Sequence, residues 1–566
     1  MCRRPPRSRT SIRSTTDPKG RGTVQSKTSR ESAASLLRPL TVRPIGLSAA
    51  LGLIGDLAGP RIAPDLPRIT GITLDSRAVL PGDLYAALPG AARHGGEFTD
   101  QALRAGAAAI LTDAAGAVLA AQAATASGSE APIIVVVPDP RRAVGPLSAV
   151  IFGTRDGAAP TLFGVTGTNG KTTTTYFLDA LLQALGRTTG LIGTIEIRAG
   201  GEAIPSALTT PESPQVHSLL GLMRERGLDA ASMEVSSHAL EFGRVDGVRF
   251  DVAGFTNLTQ DHLDLHGTME DYFAVKADLF TSARCRQAVV LVDDPWGRRL
   301  AATAQVPVLT LRTSPGTDGG EPADWTVTDV GTSGLGHSFV LAGRSGERLS
   351  LRSGLPGTFN ISNAALAAVM VLASGVPLDH LQATLDTHDP FTTEVPGRMQ
   401  LVGEEPAAIV DFAHNPDALE RTLASVRRPG GRVISVFGAT GQRDESKRPV
   451  MGAVGARLSD ILIVTDDDPH DEDDAVIRRA VLQGAEQAVR EELLGCDILE
   501  VFPRAAAIDR AVELATGADT VIVAGRGHEV WQEVKGVNVS LDDRVELRSA
   551  LTRHGFSVLS APGIDS

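Results

Sequence analysis

Cysteine is scarce in this sequence, since Cys2, Cys285 and Cys496 are the only three in a chain of 566 residues. They are neither paired nor clustered, which argues against a disulfide framework or a cysteine zinc site and is typical of the reducing cytoplasm. Long apolar runs are also missing: no window approaches the ~18 uncharged apolar residues of a membrane span. Positive charge is in the minority, and a net charge of -13 argues against a nucleic-acid-binding surface.

The first 43 residues depart from this acidic composition. They contain eleven Lys or Arg residues against only Asp17 and Glu31, and Ser, Thr and Pro fill most of the rest. Such a segment cannot bury a core, so residues 1–43 are expected to be a disordered basic tail. We interpret it as a dispensable extension or a wrongly assigned upstream start rather than a secretion signal, because no apolar stretch follows closely. Contact with nucleic acid or membrane is the less favoured alternative.

A glycine-rich loop is the most informative stretch that is present. The apolar run 161–166 predicts a buried strand, Gly-Thr-Asn-Gly-Lys-Thr follows at 167–172, and leucines at helical spacing predict a helix after it. This arrangement binds nucleotide phosphates: backbone N–H groups and the helix N-terminus face the anion, Lys171 meets the outer phosphates and Thr172 reaches Mg2+. The strict Walker pattern needs glycine where Val165 stands, so the loop is a shorter variant. The alternative is a plain Gly/Thr-rich turn.

The alternation of short apolar runs and helical patterns predicts an α/β protein with three domains. We place an N-terminal α/β domain at 44–156, a central P-loop ATPase-like domain with a mostly parallel sheet at 157–395, and a Rossmann-like domain at 396–566. In the last domain each predicted strand is followed by a polar or glycine-rich loop, and parallel strands bring such loops to one edge. These strands are 407–410, 433–436, 461–464 and 520–523.

Lys276 is the unusual residue of the central domain, because it falls on the apolar face of the predicted helix 269–280. A buried ammonium is costly, so either its stem snorkels to water or its nitrogen is paired or chemically altered. Nearby, His262 and His266 have the i, i+4 spacing of zinc ligands. The third ligand and the glutamate of a zinc motif are lacking, so zinc is disfavoured.

Several motifs together resemble the Mur ligase family, over about residues 69–545. They are 167–172 (GTNGKT), 234–238 (EVSSH), 257–264 (NLTQDHLD), 359–365 (FNISNAA), 397–399 (GRM) and 411–416 (DFAHNP). Leu-Asp-Ser-Arg at 74–77 and Gly-Arg-Gly-His-Glu at 525–529 narrow the resemblance to the branch that adds the third residue of the peptidoglycan stem peptide. It implies that ATP phosphorylates the γ-carboxylate of D-glutamate in UDP-N-acetylmuramoyl-L-alanyl-D-glutamate. An amine then attacks the acyl phosphate, giving an amide, ADP and phosphate.

The resemblance also implies site residues and cofactors. The catalytic residues would be Lys171, Glu234, His262 and Lys276. Thr172 would hold one Mg2+, Glu234 and His262 a second, and Lys276 would carry a CO2-derived carbamate at the metal site, which is favoured over snorkelling. ATP would bind Gly167, Thr168, Asn169, Gly170, Lys171, Thr172, Thr173, Asn360, Asn363, Arg398 and Asp411. The UDP-sugar peptide would bind Leu74, Ser76, Ala91, Ala92, Thr209, Thr210, Ser236 and Arg244, with the N-terminal domain holding the UDP end.

Two departures limit the transfer of binding details. Ala91 and Ala92 stand where some relatives have His-Gln, and Phe242 replaces a glutamine of some members. Side-chain hydrogen bonds to the uracil are therefore not expected from those alanines.

The amino acid would bind at Arg443, Asp467, Asp468, Pro469, His470, Gly525 and Glu529. Diaminopimelate-adding members resemble Asp-Asn-Pro-Arg where this chain has Asp-Asp-Pro-His, and losing the arginine clamp costs about 1.5–3 kcal/mol. The added carboxylate of Asp468 would repel a carboxylate and attract an ammonium, while Arg443 would hold the α-carboxylate. We therefore predict L-lysine, then L-ornithine. Diaminopimelate is disfavoured but open, since a protonated His470 could accept its carboxylate.

Two other functions are weighed against this one. A folate-tail glutamate ligase shares the glycine loop and a motif similar to 411–416, but not the Leu-Asp-Ser-Arg domain or the Asp-Pro-His loop. A catalytically silent ATP-binding module is disfavoured by the intact set Lys171, Glu234, His262 and Lys276. The expected partners are small-molecule substrates only, and a monomer is expected although the sequence is silent on oligomeric state.

Overall fold

The computed structural model describes residues 38–59, 65–155, 160–200, 203–206, 208–314, 323–333 and 335–560. Within those ranges the chain forms three α/β units built on sheets of four, eleven and six strands, with two further two-stranded sheets. The predicted fold class and three-domain plan are confirmed. None of the described helices combines the length and apolar character needed to cross a membrane.

The N-terminal unit is a parallel sheet in the order β3-β4-β5-β6, with β1 and β2 paired separately. Ile69 pairs with Ile45, while the parallel sheet begins two residues later at Gly71. The elements are β1 Ile45–Gly46, α1 Leu47–Leu53, β2 Arg68–Ile69, β3 Gly71–Thr73, β4 Asp83–Ala86, α2 Thr99–Arg104, β5 Ala109–Thr112, α3 Ala114–Ser127, β6 Ile134–Val136 and α4 Pro140–Ile151.

Part of the predicted tail has a definite place in this unit. Both terminal nitrogens of Arg38 donate to the Asp83 carboxylate at 2.7 Å, and that carboxylate is almost fully buried. The backbone N–H groups of Leu40 and Thr41 donate to Glu225 of the central unit at 2.7 and 2.9 Å. Residues 38–41 therefore connect two units, contrary to the disorder expected for them. Residues 1–37 lie outside the described residues.

The central unit contains the long sheet, whose order is β10-β9-β8-β11-β7-β12-β13-β14-β15-β16-β17. The stretch β8-β11-β7-β12-β13-β14-β15 is parallel throughout. Antiparallel strands extend the sheet at both ends. Apolar cores cover both faces, one of them built by α5 and α11. The elements are β7 Thr161–Thr166, α5 Lys171–Ala184, β8 Thr189–Ile192, β9 Glu196–Ala199, β10 Ile204–Pro205, α6 Ser213–Glu225, β11 Ala230–Glu234, α7 Ser237–Glu241, β12 Phe250–Phe255, α8 Leu263–His266, α9 Met269–Ala277, β13 Cys285–Leu291, α10 Pro295–Thr303, β14 Val308–Arg312, β15 Trp325–Ser333, β16 Gly336–Gly343, β17 Arg348–Ser353, α11 Phe359–Ala373 and α12 Leu378–Thr387.

The C-terminal unit has the order β18-β19-β23-β20-β21-β22, parallel except for β18. All four strands predicted here are present, so their polar loops share one edge. A hairpin, β24 and β25, follows the last of these loops. The elements are β18 Gln400–Glu404, β19 Ala407–Asp411, α13 Pro416–Ser425, β20 Val433–Phe437, α14 Lys447–Leu458, β21 Ile461–Val464, α15 Asp474–Glu492, β22 Asp497–Glu500, α16 Arg504–Leu514, β23 Thr520–Ala524, β24 Trp531–Val534, β25 Val537–Ser540 and α17 Asp543–Arg553.

Candidate active site

The glycine loop connects β7 to the N-terminus of α5 at the carboxyl edge of the central sheet. Gly167 and Gly170 have φ of +144° and +91°, a region that favours glycine. A Cβ on Gly167 would clash with the Thr256 hydroxyl, and one on Gly170 with the Asn363 side chain. Thr256, directly after β12, and Asn363, on α11, therefore leave no room for a side chain at these two positions. The positive end of a helix of 14 residues lies behind it, as an anion site requires.

Lys171, Thr172 and Glu234 form a polar network beside this loop. Lys171 Nζ donates to the carbonyls of Gly167 and Thr168 at 3.1 and 2.9 Å. Thr172 Oγ1 donates to Glu234 Oε2 at 2.8 Å, at the buried end of β11. Burial lowers the pKa of Lys171, and the negative charge of Glu234 opposes that shift. The lysine is therefore held against neutral carbonyl oxygens that a phosphate could replace.

Lys276 lies inside the protein, directly beneath the same loop. It is 1% exposed, its Nζ donates to Gly167 O at 2.8 Å, and the nitrogen lies 4.7 Å from the centre of the Tyr272 ring. Snorkelling to water is thereby excluded. Burial, and then the nearby charge of Lys171, lower its pKa well below the ordinary value. A neutral amine with a free lone pair is the form that reacts with an electrophile such as CO2.

His262 is held in an unusual backbone conformation, with φ of +52° at the start of α8. Its ring packs edge-on against His238, with centroids 4.9 Å apart, and its Nε2 is 3.8 Å from Asp261 Oδ2. Burial lowers the pKa of His262, while Asp261 opposes the shift. The imidazole is thus favoured in its neutral form, which is the form that can act as a ligand.

The donor set fits magnesium. Thr172 offers a hydroxyl and Glu234 a carboxylate, the hard oxygen ligands that Mg2+ prefers, and Mg2+ usually completes its shell with substrate phosphates and water. Across the described ranges, no three His, Cys, Asp or Glu side chains gather closely enough to hold an ion by themselves. The residues therefore suit a metal that arrives with the nucleotide. The roles of His262 and Lys276 as metal ligands stay predictions.

Loops of the C-terminal unit reach the glycine loop. The Arg398 guanidinium lies 4.1 Å above the Phe412 ring and donates from Nη2 to Thr172 Oγ1 at 3.4 Å. Asn169 Nδ2 donates to Asp417 Oδ2 at 2.9 Å, across the two units. Asn415 Nδ2 also donates to Asn169 Oδ1 at 3.4 Å. Phe412, Asn415 and Asp417 are not among the predicted site residues, although the first two lie in the motif 411–416. Their closeness in sequence to Asp411, which was predicted to bind ATP, is the signal that could have identified them.

The remaining predicted nucleotide residues hold structure around the loop. Asn363 accepts from Thr174 at 3.3 Å and donates to Asn360 Oδ1 at 3.0 Å, which ties α5 to α11. The Asp411 carboxylate accepts the backbone N–H of Met399 at 2.7 Å. Burial raises the pKa of Asp411. These contacts position the two units, and adenine or ATP binding by these side chains remains a prediction.

The residues predicted for the UDP-sugar peptide fall into two groups. One group adjoins Glu234: Thr210 Oγ1 donates to the Glu234 carbonyl at 2.7 Å, and Thr194 Oγ1 donates to Thr209 Oγ1 at 3.1 Å. Ser236 and Arg244 belong to it too, since their side chains contact Thr210. The other group, Leu74, Ser76, Ala91 and Ala92, lies on the N-terminal unit beyond β3 and β4, with the two alanines exposed. The two groups therefore lie on different units, and binding of one substrate by both remains a prediction.

The predicted amino-acid residues lie on three loops of the C-terminal unit, and their charges differ from the expectation. The Asp468 carboxylate pairs with Arg526, which is fully buried. Burial raises the pKa of Glu529 to about 8. Asp468 therefore has its own counter-charge, and Glu529 is mostly neutral at pH 7. Arg526 was missed, because nothing local in Gly-Arg-Gly-His-Glu reveals a partner 58 positions away.

The other members of this group differ in their exposure to solvent, and Asp467, Pro469 and Gly525 are buried. His470 has φ of +53°, and its Nδ1 lies 3.2 Å from Glu533 Oε2 on the hairpin. Arg443 is exposed. Gly525 has φ of +114°, and any Cβ there would press on the Asp467 carboxylate at 2.6 Å. Pro469 lies against Gly441, whose missing side chain leaves room for it.

Comparisons with known proteins agree with this arrangement. Family profiles match at residues 68–149 (Mur ligase family, catalytic domain), 165–371 (Mur ligase middle domain) and 397–527 (Mur ligase, glutamate ligase domain). A Streptomyces coelicolor protein named UDP-N-acetylmuramoyl-L-alanyl-D-glutamate--2,6-diaminopimelate ligase is 45% identical over 90% of this chain and 98% of its own length. A Leifsonia xyli subsp. xyli protein named UDP-N-acetylmuramyl-tripeptide synthetase is 45% identical over 93% of this chain and 99% of its own.

A solved structure extends the similarity to the fold. It is titled as a UDP-N-acetylmuramoyl-L-alanyl-D-glutamate--2,6-diaminopimelate ligase and is 29% identical to this chain. The match has a TM-score of 0.59 and covers 91% of this chain and 100% of the other. With these profiles, relatives and geometry together, the chain belongs to the Mur ligase family of ATP-dependent ligases.

Proposed function

We propose that this protein adds the third amino acid to UDP-N-acetylmuramoyl-L-alanyl-D-glutamate in peptidoglycan precursor synthesis. The observation that carries the proposal is the meeting of three groups at one loop: Lys171, the buried Lys276, and Arg398 from the next unit. Relatives that match nearly the whole chain bear names of this activity, which favours it over a folate-tail ligase.

The chemistry divides between the loop and its cross-domain partners. Lys171 and Arg398 would neutralise the γ-phosphoryl group as it passes to the γ-carboxylate of D-glutamate, releasing ADP and leaving an acyl phosphate. The amine of the incoming amino acid, in its unprotonated form, then attacks the acyl carbon. The new C–N bond forms, phosphate departs and the amine loses a proton. Magnesium, held with Thr172 and Glu234, would supply further charge neutralisation.

Lys276 is proposed to carry a carbamate, formed when its neutral amine bonds to the carbon of CO2 and releases a proton to solvent. Its amine is buried and its pKa is lowered, so the free-base form needed for that reaction is available. The added carboxylate would stand within reach of Lys171, whose charge it would balance. The carbamate would thus offset the desolvation free energy of burying two lysine side chains beside the Gly167 carbonyl.

For the amino acid, we propose 2,6-diaminopimelate, with meso-diaminopimelate as the form to test first. The pairing of Asp468 with Arg526 removes the main electrostatic objection to a distal carboxylate, and a relative 45% identical bears the diaminopimelate name. L-lysine, and next L-ornithine, is the second candidate. It is favoured by one observation: His470 replaces the clamping arginine and lies against the Glu533 carboxylate.

The experiment is a substrate-dependence assay with purified enzyme, Mg-ATP and UDP-N-acetylmuramoyl-L-alanyl-D-glutamate. ADP release should require the UDP-dipeptide and one amino acid, and diaminopimelate should give a higher kcat/KM than L-lysine or L-ornithine. Preference for lysine would overturn the amino-acid assignment alone. ADP release that ignores the UDP-dipeptide but responds to a folate would overturn the whole proposal. Sedimentation of the same preparation tests the proposed monomer.

A further inference from the structure

The loop that follows β21 and the loop that follows β23 are joined by one ion pair. Arg526 has no solvent exposure, and its Nη1 contacts Asp468 while its Nη2 donates to the Trp531 carbonyl. Arg526 Nη1 also lies 3.7 Å from Glu529 Oε2. A guanidinium withdrawn from water in this way needs a fixed anionic partner, and Asp468 is the one in contact.

The hairpin β24–β25 reinforces the same connection. The Glu533 backbone N–H donates to Asp468 Oδ1 at 3.2 Å, and its carbonyl accepts the His470 N–H at 3.2 Å. The Lys535 N–H donates to the His470 carbonyl at 2.7 Å. Asp468 therefore receives both a charge and a backbone donor. Its side chain is still 18% exposed, so a ligand bound at this loop could reach it.

Two other arginines of this unit, Arg504 and Arg398, already have partners. Arg504 makes a fully buried pair with Asp543, with Nη2 and Oδ2 2.7 Å apart. Arg398 is directed to the Phe412 ring and Thr172. Burial raises the pKa of Asp468, and Arg526 is the positive charge that most opposes this shift. The charge that the amino acid meets at this loop thus depends on whether the Asp468 carboxylate is matched by Arg526.

We propose that Arg526 is a specificity-determining residue: by pairing with Asp468, it sets the charge that the pocket presents to the distal end of the amino acid. This inference rests on the proposed function, because it assumes that residues 467–470 meet the amino acid. With the pair intact, a side chain that ends in a carboxylate is tolerated. With Arg526 removed, the bare Asp468 favours a side chain that ends in an ammonium alone.

The test is a charge-neutralising cycle of Arg526→Met, Asp468→Asn and the double variant, with Arg526→Lys as the conservative change. The readout is the ratio of kcat/KM for diaminopimelate to that for L-lysine, taken on one preparation, so that the fraction of folded enzyme cancels. We expect Arg526→Met to lower the ratio ~10-fold and Asp468→Asn to raise it ~10-fold, the size of one charge-assisted contact. The double variant and Arg526→Lys should stay within ~3-fold of wild type.

A purely structural pair would behave differently. Both single variants would then lose activity equally with the two amino acids, and an unchanged ratio would overturn the inference, as would shifts of the same sign. Arg432→Met, which breaks a pair with Asp519 elsewhere in this unit, is the matched control and should leave the ratio unchanged. If wild type turns over neither amino acid, the proposed function fails. The inference is then tested with dissociation constants, as the ratio of the affinity for diaminopimelate to that for L-lysine in each variant. If neither amino acid binds, the inference fails as well.

Discussion

The proposed nucleotide centre and the proposed amino-acid pocket are built in different ways. At the glycine loop, Gly167, Gly170 and Lys171 belong to one short motif, and distant residues such as Glu234 and Lys276 pack against that motif. In the pocket, Asp468 and Arg526 come from separate loops that the sheet brings together. The first region can therefore be recognised from a short motif. The second depends on pairings that only the folded chain reveals.

This difference separates chemistry from selectivity. The phosphoryl-transfer groups are shielded and partnered within the central unit, with Arg398 added from outside. The groups proposed to meet the amino acid lie on the C-terminal sheet and on one hairpin. A change in the pocket should therefore alter which amino acid is used, whereas a change at the loop should remove activity with every amino acid.

The largest effect is expected from Lys276→Ala. If the lysine carries the proposed carbamate, its removal should lower kcat by ~100- to 1000-fold with either amino acid, comparable to losing one preorganised electrostatic group. Carbon-13 NMR of wild type in labelled bicarbonate should show a carbamate signal that the variant lacks. Lys535→Asn, at an exposed position on the hairpin, is the control. Near-normal turnover by Lys276→Ala would contradict the assignment of the chemical step to the region around the glycine loop.

Arg398→Lys tests the contact between units at the nucleotide centre. A lysine keeps the charge but loses the planar stack on Phe412 and the reach to Thr172. We expect kcat/KM for ATP to fall ~30- to 100-fold, with the diaminopimelate-to-lysine ratio unchanged. Arg427→Lys, at an exposed pair with Asp460, should match wild type. A changed amino-acid ratio would show that the two regions are not separable.

His470→Arg sharpens the comparison from the pocket. The guanidinium restores a bidentate donor for a distal carboxylate, so kcat/KM for diaminopimelate should rise ~10-fold relative to lysine. Part of the gain is offset because residue 470 has a positive φ, which a long side chain adopts less readily. His554→Arg, near the end of α17, is the control. A shift toward lysine would contradict the placement of residue 470 at the distal end of the amino acid.

The smallest effect concerns Glu529 and pH. Its pKa is raised from 4.5 to about 8 in the folded protein, first by burial and then by Asp467. The folded state holds this proton where the unfolded state has lost it, so the stability gained is full below about pH 4.5 and is lost as pH rises through 8. Because the Glu529 side chain is 37% exposed, solvent screening keeps the slope below its one-proton limit of ~1.4 kcal/mol per pH unit. Glu529→Gln should flatten the fall in Tm across this window, whereas exposed Glu420→Gln should not.

Sequence reasoning predicted most of what is local. Strands at 433–436, 461–464 and 520–523 were recognised because a parallel core strand is a short apolar run bounded by polar residues. The burial of Lys276 followed from its place on an apolar helical face. The contacts of Arg38 with Asp83, and of Arg526 with Asp468, could not be predicted, since ion pairs between distant positions leave no periodic or motif signal.

The contrast between the regions also shows why the sequence alone favoured L-lysine as the added amino acid. Asp468 and Glu529 would both attract an ammonium only if nothing pairs with the carboxylate of Asp468 and nothing suppresses the ionisation of Glu529. In the folded chain, Asp468 pairs with the buried Arg526. Burial and the nearby charge of Asp467 raise the pKa of Glu529 and so suppress its ionisation. The charge of a pocket is a property of the fold, so residue types alone overestimated it.

Positional isotope exchange tests the separation most directly. ATP labelled with oxygen-18 at the β,γ-bridge, incubated with the UDP-dipeptide and without amino acid, scrambles its label only if the acyl phosphate forms and reverts. The expected result is exchange in Arg526→Met close to wild type and none detectable in Lys276→Ala. Loss of exchange in Arg526→Met, or its persistence in Lys276→Ala, would contradict the assignment of chemistry to one region and selectivity to the other.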